Sequence, residues 1–210
     1  MDDIKIAGKL NLNDWRTTKK TLKSNYNHNW EQAYYFFELR ICSRYLKPIH
    51  SIIDINKYNG EGFAIVNLQC SLIETIESFL SGIIHRHPNF YLPNKKAFKS
   101  NSLIYKSFFK RFKKEFNNIK GEDFYSNVRN SLLHETQTKK NWKIHANSSL
   151  PYKKELNYHY LYRNKFQEVI EKILKEYKNC IINGNNFYEI PICDLRENFI
   201  TKLDHICNES

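Results

Sequence analysis

The sequence has few helix-breaking residues and lacks several common site motifs. Its 210 residues include six glycines and five prolines, and they form no glycine-rich loop of the kind that holds nucleotide phosphates. The five cysteines are odd in number and include no C-x-x-C pair, so neither a disulfide framework nor a zinc site is predicted. The sequence therefore predicts a reduced protein without metal or cofactor.

Long hydrophobic runs are also missing. No segment reaches the roughly 18 consecutive apolar residues of a membrane span, and residues 1–15 do not combine a basic start with an apolar stretch, as a signal peptide would. Hydrophobic residues make up 41% of the chain and aromatic residues 15%, enough for a sizeable core. We expect a soluble, cytoplasmic protein built as one large domain, without a membrane partner.

Positive charge is concentrated in one part of the chain. The whole sequence carries 33 basic and 22 acidic residues, a net charge of +11. Residues 94–165 contain 17 basic and five acidic residues, a net charge of +12, whereas the rest of the chain has a net charge of −1. This favours a polyanionic partner, with nucleic acid ahead of an anionic membrane surface, and a solvated loop region that keeps the protein soluble is the alternative. The candidate RNA-binding residues are Lys110, Arg111, Lys113, Lys114, Lys139, Lys140 and Lys143.

Apolar residues spaced three and four apart predict an all-α fold, a bundle of five or six helices with a basic loop insertion. The predicted helices run over about 30–46, 65–83, 102–117, 123–135, 166–177 and 194–206. Pro48 is expected to end the first of them, because proline cannot continue an established helix without losing a hydrogen bond. Strands are compatible with 142–146 and 187–193, the latter as part of a short β-hairpin.

These elements suggest one domain with two small flanking parts. The predicted divisions are an N-terminal extension over 1–29, a helical domain over 30–182, and a turn and helix over 183–210 that pack on the same domain. Residues 138–157 are expected to be irregular, apart from the short strand, and belong to the basic insertion.

Aromatic residues interleave with the basic charge in two different patterns. One set recurs at helical spacing and is predicted to be core: Tyr105, Phe108, Phe109, Phe112 and Phe116. A second set shows no helical periodicity: Tyr152, Tyr158, Tyr160 and Tyr162. Exposed aromatic rings can stack on the bases of single-stranded RNA. The second set therefore has two interpretations, as core residues or as an RNA-binding surface.

The helix predicted over about 123–135 contains Arg129-Asn130-Ser131-Leu132-Leu133-His134. An arginine followed by a polar residue, with a histidine five positions after the arginine, resembles the R-x4-H signature of the HEPN superfamily. These are helical proteins, many of them metal-independent ribonucleases. The resemblance extends over roughly residues 30–180, because a long apolar helix containing Glu74 precedes the motif and an amphipathic helix follows it. It implies a helical domain and endoribonuclease activity.

The motif residues have side chains suited to cleaving a phosphodiester. Arg129 can bind a phosphate through its planar guanidinium, and His134 can exchange a proton near neutral pH. Asn130 is expected to orient the histidine or bind phosphate, with Ser131 a weaker candidate for the same role. Glu74 either pairs with Arg129 and positions it or lies at the solvated edge of its helix.

A second arginine and histidine, Arg44 and His50, have five residues between them, but Pro48 is expected to interrupt the helix that they would share. We therefore favour Arg129 and His134 as the reactive pair. The expected reaction is attack of a ribose 2′-hydroxyl on the adjacent phosphate.

This reaction needs one group to accept a proton and another to donate one, whereas the motif supplies a single histidine per chain. A two-fold homodimer with facing motifs would supply two, and the resemblance implies the same pairing. HEPN proteins commonly serve as toxins or in anti-phage defence, so an antitoxin or regulatory protein is a further expected partner.

Two other functions remain open. The chain can be a non-catalytic HEPN-like module that binds RNA, a nucleotide or a protein through its basic segment, or a purely structural dimerisation bundle. In either case Arg129 would form a plain salt bridge, and His134 would interact only with the C-terminal dipole of its helix.

Overall fold

The computed structural model describes residues 4–23, 26–55, 59–84 and 101–208. These residues are mostly helical and also form a two-stranded and a three-stranded sheet, so the prediction of a helical fold is confirmed. The number of helices in the predicted bundle stays a prediction. The loop predicted between His85 and Lys99 lies outside the described residues.

The described elements follow one another along the chain. They are β1 (Lys5–Ala7), β2 (Leu10–Asn11), α1 (Leu12–Thr21), α2 (Asn27–Ile41), a π-helical turn (Cys42–Leu46), α3 (Lys47–Ile55), α4 (Glu61–Ser81), α5 (Asn101–Arg111), α6 (Gly121–Phe124), a second π-helical turn (Tyr125–Arg129), α7 (Asn130–Glu135), β3 (Trp142–His145), β4 (Tyr152–Glu155), β5 (Tyr158–Tyr162), α8 (Arg163–Asn183) and α9 (Ile192–Asn208).

The chain divides into two compact units. Unit 1 comprises Met1–Lys47, Ser78–Phe98 and Leu174–Ser210, and unit 2 comprises Pro48–Glu77 and Lys99–Ile173. Unit 1 therefore contains residues from all three of the predicted divisions. The predicted boundaries at residues 29 and 182 stay predictions.

Unit 1 includes the N-terminal residues as part of its packing. Helix α1 begins with a capping box, in which the Asn11 side chain accepts from the Asp14 N–H and the Asp14 carboxylate accepts from the Asn11 N–H. One turn later, Trp15 is buried, and its indole Nε1 donates to Asp204 Oδ1 of α9 at 2.9 Å. The contact between α1 and α9 joins the first and last helices of the unit.

The centre of unit 1 is aromatic. Five buried rings meet there, from Tyr34, Phe37, Phe79, Tyr177 and Phe199. The closest pair is Phe37 and Phe79, with ring centroids 4.5 Å apart in an edge-to-face arrangement. The Tyr34 hydroxyl donates to the Leu174 carbonyl oxygen at 3.1 Å, which satisfies its polar end.

The prediction that Pro48 ends a helix is wrong. Helix α2 continues through the π-helical turn into α3, and the Lys47 N–H donates to the Cys42 carbonyl, five residues back. Pro48 lies just after this wider turn, and the helix continues through it to Ile55. Proline therefore does not exclude the Arg44 and His50 pair. The His50 imidazole Nε2 lies 2.8 Å from Glu171 Oε1, so this histidine already has an acidic partner.

The strand predicted over 187–193 is also not present. Phe187 and Ile190 form only an isolated antiparallel bridge, and helix α9 begins at Ile192. The Asn186 side chain accepts a hydrogen bond from the Ile192 N–H at 2.9 Å, so the polar residues of this turn start a helix instead of a strand.

Unit 2 has its own core of phenylalanines. The predicted aromatic stripe is confirmed, since Tyr105, Phe108, Phe109, Phe112 and Phe116 are all at most 1% exposed. Helix α5 nevertheless ends at Arg111, earlier than predicted. The chain continues in turns as far as Asn118, which, like Asn117, has a left-handed backbone. The stripe stays buried because these turns still pack against Phe166 of α8, 4.7 Å from Phe116 between ring centroids.

Helix α6 starts in direct contact with α5. A Cβ atom on Gly121 would lie 2.2 Å from the Tyr105 carbonyl oxygen, closer than two such atoms can approach. Glycine is therefore required at this position. The close approach places the start of the Arg129 helix against the backbone that carries Tyr105.

Residues 142–162 form a sheet that the sequence predicted only in part. Strand β3 confirms the predicted short strand, but the prediction of irregular chain up to residue 157 is wrong. Strand β5 lies in the middle, parallel to β3 and antiparallel to β4. The basic insertion therefore contains a three-stranded sheet, in which β3 and β4 are the edge strands on either side of β5.

Among the described helices, α4 alone is long and apolar enough to cross a membrane, and 61% of its most apolar window is buried within the protein. Its buried residues include Ile65, Leu72 and Ile76. This burial is typical of a core helix.

Candidate active site

The predicted motif lies on one unbroken helical path in unit 2, through α6, the π-helical turn and α7. At the end of the wider turn, the Asn130 N–H donates to the Tyr125 carbonyl, five residues back. The Ser131 hydroxyl donates to the Ser126 carbonyl at 3.1 Å. Ser131 is buried, so the structure places it as a support of the π-helical turn. Such turns often occur at functional sites.

Glu74 of α4 holds the Arg129 side chain. Arg129 Nε donates to Glu74 Oε1 at 2.9 Å, and the two side chains are 19% and 20% exposed. Arg129 Nη1 also donates to Asn130 Oδ1 at 3.2 Å. Within the described residues, Nη2 donates no hydrogen bond, so the outer edge of the guanidinium has donors left for an anion.

Tyr105 holds the carboxylate in turn. Its hydroxyl lies 2.8 Å from Glu74 Oε1 and 3.0 Å from the Cys70 carbonyl oxygen. Burial, with the nearby Cys70 and Glu74, raises the pKa of Tyr105 well above its ordinary value, so the hydroxyl remains a donor. Because the Tyr105 ring packs on Phe124, with centroids 5.8 Å apart, the core of unit 2 positions the carboxylate and thereby the arginine.

The charge of Arg129 is secure in this setting. Burial alone would lower the pKa of the guanidinium, but the charge and hydrogen bond of Glu74 outweigh it, so the pKa lies above its ordinary value. The Tyr125 ring lies 5.8 Å from the guanidinium carbon and adds a weak cation–π contact. Arg129 therefore presents a fixed positive charge at the protein surface.

His134 lies at the exposed end of the same helix. It occupies the last turn of α7, before Thr136 adopts a left-handed backbone that ends the helix. Its side chain forms no hydrogen bond or ion pair within the described part of the chain. It lies five positions after Arg129, a rise of about 7.5 Å and a rotation of about 140° around the helix axis. The imidazole is therefore exposed to solvent at the end of the motif helix.

The predicted RNA-binding residues of the first basic run differ in exposure. Lys110, Lys113 and Lys114 are exposed. Arg111 Nη2 donates to Glu77 Oε1 at 3.2 Å, with side-chain exposures of 15% and 0%. Arg111 therefore neutralises a buried carboxylate, and the structure does not bring it together with the lysines on the surface.

The basic residues after the motif lie on a turn and on the sheet. Lys139 forms an ion pair with Glu135, four residues earlier. Lys140 is exposed and has a left-handed backbone. Lys143 Nζ lies over the Tyr158 ring, 4.3 Å from its centroid. Lys139 and Lys140 lie in the stretch that leads from the motif helix into β3, and Lys143 lies on β3 itself.

Sequence reasoning missed the group that attaches the sheet to the motif helix. Asp123 accepts from Trp142 Nε1 at 3.0 Å and from Asn127 Nδ2 at 2.8 Å. His159 stacks on Trp142, and its Nδ1 lies 2.8 Å from the Tyr152 hydroxyl and 4.0 Å from Asp123. Burial lowers the pKa of His159. No spacing in the sequence links these residues, since they come from five separate elements.

Tyr105 was missed for a different reason. Its place in the apolar stripe correctly predicts a buried ring, but burial of the ring does not reveal where the hydroxyl points. The one available signal was the general rule that a buried tyrosine hydroxyl usually has a hydrogen-bond partner, which predicts a partner for Tyr105 but does not identify it.

No group of three or more histidine, cysteine or acidic side chains able to hold a metal occurs among the described residues. Comparison of the chain with protein-family models, curated proteins and solved structures finds no significant match. The geometry of the residues themselves is therefore the basis for assigning a function.

Proposed function

We propose that this protein is a metal-independent endoribonuclease of the HEPN type that acts on RNA as a homodimer in the cytoplasm, as a toxin or an anti-phage effector. The observation that supports this most concerns Arg129, which forms an ion pair with Glu74 of α4. Arg129 lies on the same helical path as His134, which is exposed at the end of that path. A held cation and an accessible imidazole are the two groups that cleavage through a 2′-hydroxyl requires.

In the proposed reaction, the Arg129 guanidinium binds the non-bridging phosphate oxygens through its outer edge. One imidazole accepts the proton of the 2′-hydroxyl, whose oxygen then bonds to phosphorus. The bond from phosphorus to the 5′-oxygen breaks, and a second imidazole protonates that oxygen. The products are a 2′,3′-cyclic phosphate and a free 5′-hydroxyl.

Glu74 and Asn130 act in this reaction through Arg129. Glu74 accepts from Nε and Asn130 from Nη1, so together they set the plane in which the guanidinium meets a phosphate. Asn130 thus positions the arginine, whereas the sequence suggested the histidine or the phosphate as its partner. Glu74 is a positioning residue in the same sense.

The second imidazole comes from His134 of another copy of the chain. A two-fold axis near α7 would bring two motifs together, and Leu133, beside His134, is 56% exposed and offers apolar surface for such a contact. Sedimentation measurements are expected to show a dimer at the concentrations where cleavage occurs. A protein that cleaves RNA as a monomer would contradict the composite site.

The main test is cleavage of single-stranded RNA in the presence of EDTA. Wild-type protein is expected to produce 2′,3′-cyclic phosphate ends, whereas His134→Ala should reduce the rate by at least about 100-fold. His28→Ala is the matched control, since His28 is an exposed histidine on a helix of unit 1, and it should retain full activity. Undiminished cleavage by folded His134→Ala protein would refute the proposal.

The second candidate is a non-catalytic RNA-binding module. It is supported by the same ion pair. Because the Arg129 guanidinium already donates to Glu74 and Asn130, its role can be purely structural. This function predicts salt-sensitive RNA binding without cleavage by the wild-type protein at any pH between about 5 and 8, the range in which imidazoles titrate.

A further inference from the structure

The three-stranded sheet of unit 2 has one face turned into the protein. In the β-ladders, Trp142 of β3 is paired with His159 of β5, and Tyr152 of β4 with Leu161 of β5. Side chains alternate along a strand, and paired residues share a face. Trp142, Tyr152 and Leu161 are 4%, 6% and 0% exposed, so this is the buried face.

The opposite face carries a row of tyrosines with charged residues on both sides. By the same alternation, it presents Tyr158, Tyr160 and Tyr162 on β5, Lys143 and His145 on β3, and Lys153 and Glu155 on β4. We call these seven residues the tyrosine face. The four charged or imidazole side chains on the edge strands and Tyr158 are exposed, and the other two tyrosines are partly exposed.

The rings of the tyrosine face lie close enough to form one surface. The Tyr158 and Tyr160 centroids are 6.3 Å apart. The His145 ring lies 5.5 Å from Tyr160 and 5.9 Å from Tyr162. Lys143 Nζ lies 4.3 Å from the Tyr158 centroid and 6.0 Å from that of Tyr160. Aromatic area therefore extends along the whole of β5.

The position of β5 limits what this surface can bind. Both edges of β5 are already hydrogen-bonded to β3 and β4, so an added peptide strand cannot pair with it, and a ligand must lie across its face. A duplex keeps its bases stacked internally and offers no free base planes. Single-stranded nucleic acid offers both free base planes for the rings and phosphates for the lysines.

Charge favours the same ligand. The sheet lies within residues 94–165, which have a net charge of +12. On the face itself, Lys143 is free of any acidic partner within the described residues. Lys153 forms an ion pair with Glu155, but both side chains are about half exposed, and such an exposed pair is weak enough for Lys153 to exchange it for a phosphate. The long Lys143 side chain can leave the Tyr158 ring and bind a phosphate, since an exposed cation–π contact is only weakly stabilising.

We propose that the tyrosine face binds single-stranded RNA, with bases stacked on Tyr158, Tyr160 and Tyr162 and phosphates held by Lys143 and Lys153. The choice of RNA as the natural strand rests on the proposed function, but the binding itself does not. The face would hold the substrate strand while the Arg129 and His134 site acts on it.

The first test measures binding of a strand that cannot be cleaved. The probe is a fluorescein-labelled 2′-O-methyl RNA of about 10 nucleotides, whose blocked 2′-oxygen cannot attack phosphorus. Tyr160→Leu is expected to weaken its binding about tenfold, whereas Tyr160→Phe retains the ring and should bind as wild type does. The matched control is Tyr35→Leu, which removes an exposed tyrosine from helix α2 of unit 1 and should change nothing.

The second test concerns the lysines. The double variant Lys143→Gln, Lys153→Gln should reduce the slope of log affinity against log salt by about 1.4, as two lost phosphate contacts predict. Lys20→Gln, at an exposed lysine of α1 in unit 1, should leave the slope unchanged. Circular dichroism establishes that each variant is folded.

The outcomes separate this proposal from the proposed function. Equal probe affinities for wild type and folded Tyr160→Leu, or an equal loss in Tyr160→Phe and Tyr160→Leu, would overturn RNA stacking on the face even if the enzyme cleaves RNA. An inactive wild type that still binds the probe through Tyr160 would refute the nuclease and leave the face supported.

Discussion

Two acidic residues on neighbouring turns of α4, Glu74 and Glu77, each pair with an arginine from a later helix of unit 2. Glu77 is 0% exposed and pairs with Arg111, which is 15% exposed. Glu74 is 20% exposed and pairs with Arg129, which is 19% exposed. The chemistry of the two pairs is the same, and only Glu74 reaches the surface.

This difference in burial separates a buried structural ion pair from the pair on which the proposed function depends. A carboxylate with no exposure must be neutralised, so Arg111 is committed to Glu77. The two arginines are similarly exposed, at 15% and 19%, so the pairs differ in their carboxylates: Glu77 is enclosed and Glu74 is not. Glu74 also has a partner in Tyr105, and Arg129 keeps unused donors on its outer edge.

The largest expected effect is on stability. Arg111→Ala would remove the ion pair with a carboxylate that is 0% exposed, which should lower the free energy of unfolding by about 3–5 kcal/mol. Arg129→Ala should lower it by only about 1 kcal/mol, while removing RNA cleavage. Urea unfolding of the two variants measures the difference. Equal losses of stability would show that exposure does not distinguish the pairs.

A smaller effect tests the positioning role of Glu74. Glu74→Gln keeps the shape and the Tyr105 contact but replaces a charged acceptor with a neutral one, so cleavage should slow about tenfold through looser positioning of Arg129.

The control is Glu77→Gln, which should lower stability without changing the rate per folded molecule. Single-turnover cleavage, normalised to the folded fraction, gives both values. A Glu74→Gln enzyme as fast as wild type would remove Glu74 from the site.

The smallest effect depends on pH and leaves both ion pairs intact. Because burial lowers the pKa of His159 in the folded state, the unfolded chain binds the proton more readily. The free energy of unfolding should therefore fall as the pH drops from about 6.5, the ordinary histidine value, towards the folded pKa.

His159→Phe keeps a ring to stack on Trp142 but cannot titrate, so its stability should decrease less between pH 7.5 and 5.5, a window about one unit to either side of that value. Urea midpoints of both proteins at the two pH values measure this. An identical decrease in the two proteins would mean that His159 does not carry the dependence.

Helical spacing predicted much of the fold. The stripe from Tyr105 to Phe116 is buried as expected, because the period of a helix is visible in any window of the sequence. The helices now assigned as α4 and α9 were found in the same way. The position of Glu74 beside Arg129, by contrast, was only one of two alternatives, since the pairing joins residues 55 positions apart.

The errors arose where local signals were ambiguous. Strand β5 reads Tyr-His-Tyr-Leu-Tyr, and because tyrosine suits both buried and exposed positions, the alternation of the strand does not show in the residue types. Pro48 would indicate a helix end if the preceding helix kept its hydrogen bonds between residues four apart. The π-helical turn before Pro48 instead has hydrogen bonds between residues five apart, and the helix continues.

The sequence by itself determined where the positive charge lies, which residues form the helices of the core, and that an arginine and a histidine share one short helix. These properties depend on composition and on neighbours within a few positions. The tertiary structure alone decided which carboxylate is enclosed, that Tyr105 holds Glu74, and that three tyrosines form one row on the outer face of the sheet. Exposure and pairing depend on contacts between distant segments, and a protein acquires those only when its chain packs.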